Sequence, residues 1–311
     1  MNHLFLGIDT SNYTTSISVT DSCGNVLSDK RRLLDVKEGA RGLRQSDALF
    51  LHIKNLPELI EMIDFDLKDI SAVGASYAPR NVEGSYMPVF LGGMGMGRAV
   101  AKTLGVPYYE FSHQEGHIKA GLFMQDIEDD EFYSVHMSGG TTEILKVTRN
   151  GARFDAEIVG KTLDISAGQL IDRIGVKLGF GFPCGKALDE ICADSSDMKI
   201  PSVCVKGAEI NFSGTETHFL RLIDSGAPAD EIAYLAFSAV AKTLIKAISY
   251  VFDNYGRKKI LFVGGVASNS LIRNMLKDKF ENSAFFAKCE YSTDNAVGIS
   301  LLTKELYERG I

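Results

Sequence analysis

The sequence contains no C-x-x-C pair, and its five cysteines (Cys23, Cys184, Cys192, Cys204 and Cys289) are odd in number and scattered. Such spacing excludes a disulfide framework and points to a reducing, cytoplasmic environment. No charged-then-apolar leader precedes the first strand-like run, and no stretch approaches the roughly 18 uninterrupted apolar residues of a membrane span. A membrane role therefore has no support in the sequence. Positive charge is also scarce: the formal charge is -7. Coating nucleic acid by bulk attraction needs clustered Lys and Arg, so it is excluded for the chain as a whole. Lys30, Arg31, Arg32, Lys37, Arg41 and Arg44 crowd one early segment. They read first as a solvated helix entry and loop, and second as a surface for a polyanion such as RNA. No low-complexity or linker-like segment divides the chain.

What is present is an ordinary globular composition. With 311 residues and 45% apolar content, the chain can bury a sizeable core as one large or two medium domains. Residues 3–20, HLFLGIDTSNYTTSISVT, read as strand, small polar turn, strand. Residues 29–34 add a returning strand. Leu49, Phe50, Ile53, Leu56, Leu59, Ile60 and Ile63 keep a helical period, followed by a short strand over Ile70 to Ala75. A glycine-rich helix over Pro88 to Leu104 leads into a strand over Val106 to Phe111. Phe132 to Thr148, FYSVHMSGGTTEILKVT, repeats the opening pattern, which predicts an internal duplication of two α/β lobes. Helices are expected near 162–178, 186–194 and 229–254. A buried strand then runs through Gly264 and Gly265 into another helix, and a last helix covers about Asn295 to Arg309.

His113 and His117 stand four apart, so on a helix both imidazoles project from one face and can share a cation. Such a pair is also common as surface or capping histidine. Glu115 lies about half a turn round from them, whereas a zinc peptidase of the H-E-x-x-H type needs its base beside the first histidine. A metallopeptidase is therefore not expected. Three glycine-bearing turns follow strands: Ser138-Gly139-Gly140-Thr141-Thr142, Gly181 to Gly185, and Gly264-Gly265 leading to Ser268-Asn269. Turns of this kind let backbone N–H groups approach phosphate oxygens. One alone is ordinary turn chemistry. Three together, with Asp9 in the first hairpin, fit a nucleotide held between two lobes.

The ordered motifs resemble the TsaD (Gcp, YgjD) family of tRNA threonylcarbamoyladenosine synthases, once described as O-sialoglycoprotein endopeptidases. GIDTS is similar to the family's GIETS, His113-x-x-x-His117 to its HxxxH, and MSGGTTEI to its VSGGxTQ. TLDISAGQLIDRIGVKLGFGFPCGKALDEI, NFSGTETHFLR, LFVGGVASN and STDNAVGIS match further family motifs in the same order. The resemblance implies an α/β fold of two duplicated RNase-H-like lobes, of the actin and sugar-kinase type, with a central nucleotide and metal cleft. The expected division is an N-terminal lobe over 1–111, an HxxxH-bearing connection over 112–130 and a C-terminal lobe over 131–311. The last helix is expected to pack back towards the cleft. The resemblance also implies one divalent metal, iron or zinc, on His113, His117 and Asp294, with His136 as a candidate further ligand. It implies catalytic roles for Asp9, Ser138 and Thr141. The carbamoyl and phosphate region falls on Ser138, Gly139, Gly140, Thr141 and Thr142, the ribose on Asp172 and Asp189, and the adenosine pocket on Gly185, Gly265 and Asn269. The implied partners are tRNA and the proteins that make threonylcarbamoyl-AMP.

The chain departs from the family in its first hairpin, where Tyr13 and Thr14 replace an acidic pair. APRNVEGSYMP stands for TRGPGLxGSL, SGGTT for SGGHT, and Pro183-Cys184-Gly185-Lys186 for PGGP. Lys186 is thereby a candidate cation beside a phosphate, and Cys184 a candidate nucleotide contact. Three functions stay open on these residues: transfer of threonylcarbamoyl to tRNA, carbamoyl transfer to another acceptor, and a non-catalytic nucleotide-binding subunit. The altered hairpin counts against the first and the retained ligands against the third. Asp172 and Asp189 also fit plain solvent-facing positions, His136 a satisfied buried histidine, and Asn269 a helix cap.

Overall fold

The computed structural model describes residues 3–11, 13–35, 43–193 and 198–310. The chain forms two compact units, one of Met1–Met124, Arg149–Asp155 and Asp294–Ile311, the other of Gln125–Thr148 and Ala156–Thr293.

The first unit is built on β1 (Leu4–Thr10), β2 (Thr14–Asp21), β3 (Val26–Leu33), β4 (Ile70–Ala78) and β5 (Tyr108–Ser112), in the order β3-β2-β1-β4-β5. Every residue of β1 is buried, so both faces of the sheet must be covered. Alternation along β1 decides what each face meets. Thr10 faces α2 (Phe90–Leu104), where its hydroxyl donates to the Val89 carbonyl at 3.0 Å. A Cβ on Gly7 would stand 2.4 Å from the Ser300 nitrogen, so the other face lies against α10 (Val297–Glu308). Asp9, two residues beyond Gly7, shares that second face. Helix α1 (Gln45–Glu61) packs beside α2 on the Thr10 side, and α3 (His113–Leu122) packs against α10.

The second unit contains β6 (Glu131–Met137), most of β7 (Thr142–Asn150) and of β8 (Arg153–Thr162), whose joined ends over Arg149–Asp155 belong to the first unit, and α4 (Ala167–Lys177), α5 (Gly185–Ile191), β9 (Cys204–Lys206), β10 (Glu209–Asn211), α6 (Ser213–Asp224), α7 (Ala229–Tyr255), β11 (Ile260–Val263), α8 (Ser270–Phe280), β12 (Ala284–Phe286) and α9 (Cys289–Ser292). Its sheet runs β12-β11-β6-β7-β8-β10-β9. Without the added edge pair β10 and β9, the order β8-β7-β6-β11-β12 repeats β3-β2-β1-β4-β5. The senses repeat as well: β6 and β7 are antiparallel like β1 and β2, and β11 is parallel to β6 and to β12 as β4 is to β1 and β5. The duplication expected from the two hairpins is thus present as topology.

Helix α7 is long and apolar enough, by length and composition, to cross a membrane. Phe237, Leu244 and Val251 on it are instead buried against Phe212, Phe219 and Phe262 in the core of the second unit. Each such side chain contributes roughly 1.5–3 kcal/mol by leaving water.

Strands β8, β9, β10 and β12 and helices α6 and α9 fall outside the sequence expectations. Strand β8 alternates exposed Asp155, Glu157 and Lys161 with Phe154, Ala156 and Gly160, the period of a strand with one solvated face. The helix expected near 162–178 begins at Ala167, after Ser166, whose hydroxyl accepts from the Gln169 N–H while Gln169 Oε1 accepts from the Ser166 N–H. That reciprocal cap sets its start.

Candidate functional site

The histidine pair owes its geometry to the start of α3. Ser112 caps the helix: its hydroxyl accepts from the Glu115 N–H at 3.2 Å, and Glu115 Oε2 accepts from the Ser112 N–H at 2.7 Å. The cap makes His113 the first helical residue, so His117 falls on the same face one turn later. Glu115 is buried and taken up by this cap, with Arg153 3.6 Å from its other oxygen. It is not available as a hydrolytic base beside the histidines.

His113 Nε2, His117 Nε2 and Asp294 Oδ1 form a triangle with sides of 3.0, 3.1 and 3.6 Å. The circle through these atoms has a radius of about 1.9 Å, inside the 2.0–2.2 Å bond lengths of zinc to imidazole and carboxylate, so one cation can reach all three. Among the described residues these three side chains are the group that converges in this way. His113 Nδ1 donates to Asp9 Oδ1 at 2.8 Å, which turns Nε2 towards the triangle. Asp9 is fully buried, and its second oxygen makes no hydrogen bond among the described residues. The Ser11 hydroxyl donates to Asp294 Oδ2 at 2.7 Å and leaves Oδ1 facing the imidazoles.

The electrostatics call for positive charge here. Burial works against a charged His113, yet the Asp9 carboxylate and hydrogen bonds to Asp294 and Asp9 raise its pKa to about 10. Burial likewise works against ionised Asp294, but hydrogen bonds from His113 and His117 hold its carboxyl well below the usual range. Two carboxylates and two imidazoles match a divalent cation in charge and in donor type.

Asp294 reaches the histidines because α10 crosses α3 closely. A Cβ on Gly298 would stand 1.8 Å from the Gly116 carbonyl oxygen, so the crossing has room only for glycine. Asp294 precedes this helix by three residues and is carried to His117.

In the second unit the three glycine turns gather around α4. Ser138 closes its turn on itself: its N–H donates to the Thr141 carbonyl at 2.8 Å, and its hydroxyl accepts from the Thr141 N–H at 3.1 Å. The Ser166 hydroxyl donates to the Gly139 carbonyl and the Ala167 N–H to Thr142 Oγ1, which docks the start of α4 on this turn. Gly264 has a φ of 95°, and a Cβ there would lie 2.1 Å from the Met137 carbonyl, so the third turn abuts the first. Asp172 on α4 accepts from the Cys184 N–H at 2.8 Å, fixing the second turn. Asn269 caps α8 through the Ile272 N–H and donates to Asp189 Oδ1 at 2.6 Å, tying the Gly265 turn to α5. Gly185 opens α5.

His136 lies on β6 in the second unit, in register with Glu143 and Val263, outside the three-residue ligand group. Cys184 is buried, with a thiol pushed up to about 11 by burial, and Lys186 is exposed with Glu190 3.9 Å away. Tyr13 is exposed and Thr14 buried at the start of β2. In the early basic segment Arg31 pairs with Asp29 and Arg32 with Glu58, while Lys37 and Arg41 lie outside the described residues. Sequence reasoning missed the Asp9–His113 bond and Ser11, although the small polar GIDTS turn pointed to that corner.

Two copies of this sheet, one beside the His113, His117 and Asp294 group and one carrying the glycine turns, define a protein of the actin and sugar-kinase fold. Solved structures with this fold include component A of the Acidaminococcus fermentans (R)-2-hydroxyglutaryl-CoA dehydratase, at a TM-score of 0.60 and 16% identity over 97% of this chain and 98% of that one. A ROK family glucokinase from Streptomyces griseus, solved with glucose and AMPPNP, gives 0.54 and 13% over 97% and 99%. HypF of T. kodakarensis gives 0.62 and 16% over 99% of this chain and 48% of that one. The particular family is set by the sequence. The model of TsaD, tRNA N6-adenosine threonylcarbamoyltransferase, matches residues 47–301, and the chain belongs to that family of transferases. The tRNA N6-adenosine threonylcarbamoyltransferase of Thermotoga neapolitana is 29% identical over 98% of this chain and 95% of its own length. A probable bifunctional tRNA threonylcarbamoyladenosine biosynthesis protein of Methanothermobacter thermautotrophicus is 29% identical over 98% of this chain and 56% of its own.

Proposed function

We propose that this chain transfers the threonylcarbamoyl group of threonylcarbamoyl-AMP to N6 of an adenine in tRNA. The N6–carbonyl bond forms, the bond from the carbonyl carbon to the phosphate oxygen breaks, AMP leaves and N6 gives up a proton. The observation that carries this reading is the His113, His117 and Asp294 triangle in a chain of this family. These three residues would hold a divalent iron or zinc ion, which when bound supplies Lewis-acid polarisation and a fixed template.

The chain's own residues do the rest. Asp9 keeps the Nδ1 proton of His113 in place, so that Nε2 keeps its lone pair for a ligand. Ser11 restrains Asp294. Ser138 to Thr142 receive the carbamoyl and phosphate groups. Ser138 Oγ accepts from the Gly140 and Thr141 N–H groups within the turn, so its own O–H and the Thr141 hydroxyl carry that contact. Asp172 and Asp189 serve the ribose, and Gly185, Gly265 and Asn269 the adenosine. Partner proteins that make the adenylate supply the substrate, and five free thiols fit a cytoplasmic setting.

Nucleoside mass spectrometry of unmodified tRNA incubated with the protein, metal and preformed threonylcarbamoyl-AMP tests this, with and without partner proteins. Threonylcarbamoyladenosine that depends on His113 is the expected result. Tyr13 and Thr14, in place of the family's acidic pair, favour a second reading, carbamoyl transfer to another acceptor. Turnover of the adenylate without tRNA modification would select that reading, and binding without turnover a non-catalytic subunit.

A further inference from the structure

One buried imidazole of the first unit stands outside the ligand triangle. His52 on α1 is fully buried, with Nε2 2.7 Å from the Ser11 carbonyl oxygen and Nδ1 2.8 Å from Thr15 Oγ1. A carbonyl only accepts, so Nε2 carries the hydrogen and, in the neutral ring, Nδ1 accepts from the Thr15 hydroxyl. Asn55, three residues further along α1, donates to the same hydroxyl oxygen at 3.2 Å and leaves its proton for Nδ1. Burial pushes the His52 pKa down, in keeping with a neutral ring. Tautomer and orientation are thus both set.

Ser11 connects this network to the triangle. The last ladder pair of the first hairpin is Thr10 with Thr15, so the Ser11 carbonyl lies beyond the ladder and takes its hydrogen bond from His52 instead. The hydroxyl of the same residue points the other way and donates to Asp294 Oδ2. Ser11 therefore sits at the end of the sheet, gripped from the α1 face and reaching the α10 face.

We propose that His52 is a positioning residue of the metal centre. By fixing the main chain of Ser11, it lets the Ser11 hydroxyl hold Asp294 as a ligand through Oδ1 alone, facing His113 and His117. This inference rests on the metal reading above. Partners at this remove from a cation are worth about 10–100-fold in its affinity.

The test is a Co(II) titration of the full chain against a competing chelator, reading both affinity and the visible Co(II) bands, with thermal melts to confirm folding. His52→Phe is expected to weaken Co(II) about 10–100-fold and to shift the bands. His52→Gln, whose Nε2 reaches as far as the imidazole Nε2, is expected to recover most of the affinity, and the shorter His52→Asn is not. Ser11→Ala is expected to match His52→Phe, with little further loss when the two are combined, since both act through Asp294. Should His52→Phe not fold, the Gln, Asn and Ser11→Ala variants decide. Unchanged affinity and bands in folded His52 variants, or full additivity with Ser11→Ala, overturns this inference alone. Wild-type protein that binds Co(II) without regard to His113 overturns the metal reading itself and this inference with it.

Discussion

The hairpins β1–β2 and β6–β7 occupy equivalent places in two copies of one sheet, yet they end in opposite chemistry. The first ends in Asp9 and Ser11, whose carboxylate and hydroxyl reach His113 and Asp294. The second ends in Ser138-Gly139-Gly140-Thr141, where Ser138 Oγ accepts from the Gly140 and Thr141 N–H groups and the Ser138 N–H donates to the Thr141 carbonyl, so the turn closes on itself. The contrast extends outward. In the first unit charged side chains converge on one point. In the second, Asp172 and Asp189 accept from the Cys184 N–H and from Asn269 and so fix the loops beside the glycine turns. A duplicated sheet thus carries converging imidazoles and carboxylates beside one copy and a self-closed glycine turn just past the equivalent strand of the other.

The largest expected effect separates the two regions cleanly. His113→Ala combined with His117→Ala should lower threonylcarbamoyladenosine formation by about a thousandfold or more, the several kcal/mol of transition-state stabilisation a metal supplies. AMP affinity by calorimetry should stay unchanged in the same variant. A parallel loss of AMP binding would break the division of labour. Next in size, Gly298→Ala forces a Cβ against the Gly116 carbonyl and should destabilise the protein by about 1–3 kcal/mol in denaturant melts while weakening metal binding. Normal metal affinity there would mean that the crossing does not position Asp294.

Proton linkage sharpens the electrostatic half of the comparison. His113 must lose its proton to bind a cation, and its pKa is raised to about 10, so metal affinity should rise about tenfold per pH unit from pH 7 to 9. A flat profile would show that no proton is displaced. The metal-free protein behaves in the opposite sense. A raised folded-state pKa contributes stability below the ordinary histidine value of about 6.5, and that stability is lost as pH rises through about 10. Melts of metal-free and metal-loaded protein across that window should diverge with rising pH. The smallest effect is on the other side: Asn269→Ala removes the α8 cap and the Asp189 tie, costing about 1 kcal/mol and weakening AMP, with metal content unchanged.

Much of this was legible in the chain. The two strand–turn–strand runs anticipated the duplication, because apolar and β-branched residues flank small polar ones in both. The spacing of His113 and His117 anticipated a shared helix face, since period alone fixes it. Asp294 came only from the resemblance, because 177 residues separate it from His117 and no local pattern links them. Asp9 as the partner of His113, and His52 beneath Ser11, were illegible for the same reason: strand alternation and a helix on the opposite face bring them there. The Ser166 and Gln169 cap was readable as S-x-x-Q and would have placed the start of α4 at Ala167. Strand β8 was legible too: Asp155, Glu157 and Lys161 alternate with Phe154, Ala156 and Gly160 in the two-residue rhythm of a strand.

The central claim is that the first unit holds one divalent cation on His113, His117 and Asp294. Metal analysis of the protein after anaerobic loading with Fe(II) or Zn(II) and removal of excess tests it most directly. The account predicts one bound ion per chain in the wild type and none in the His113→Ala, His117→Ala variant, with the fold intact in both. Full occupancy in the double variant, or none in the wild type, would contradict it.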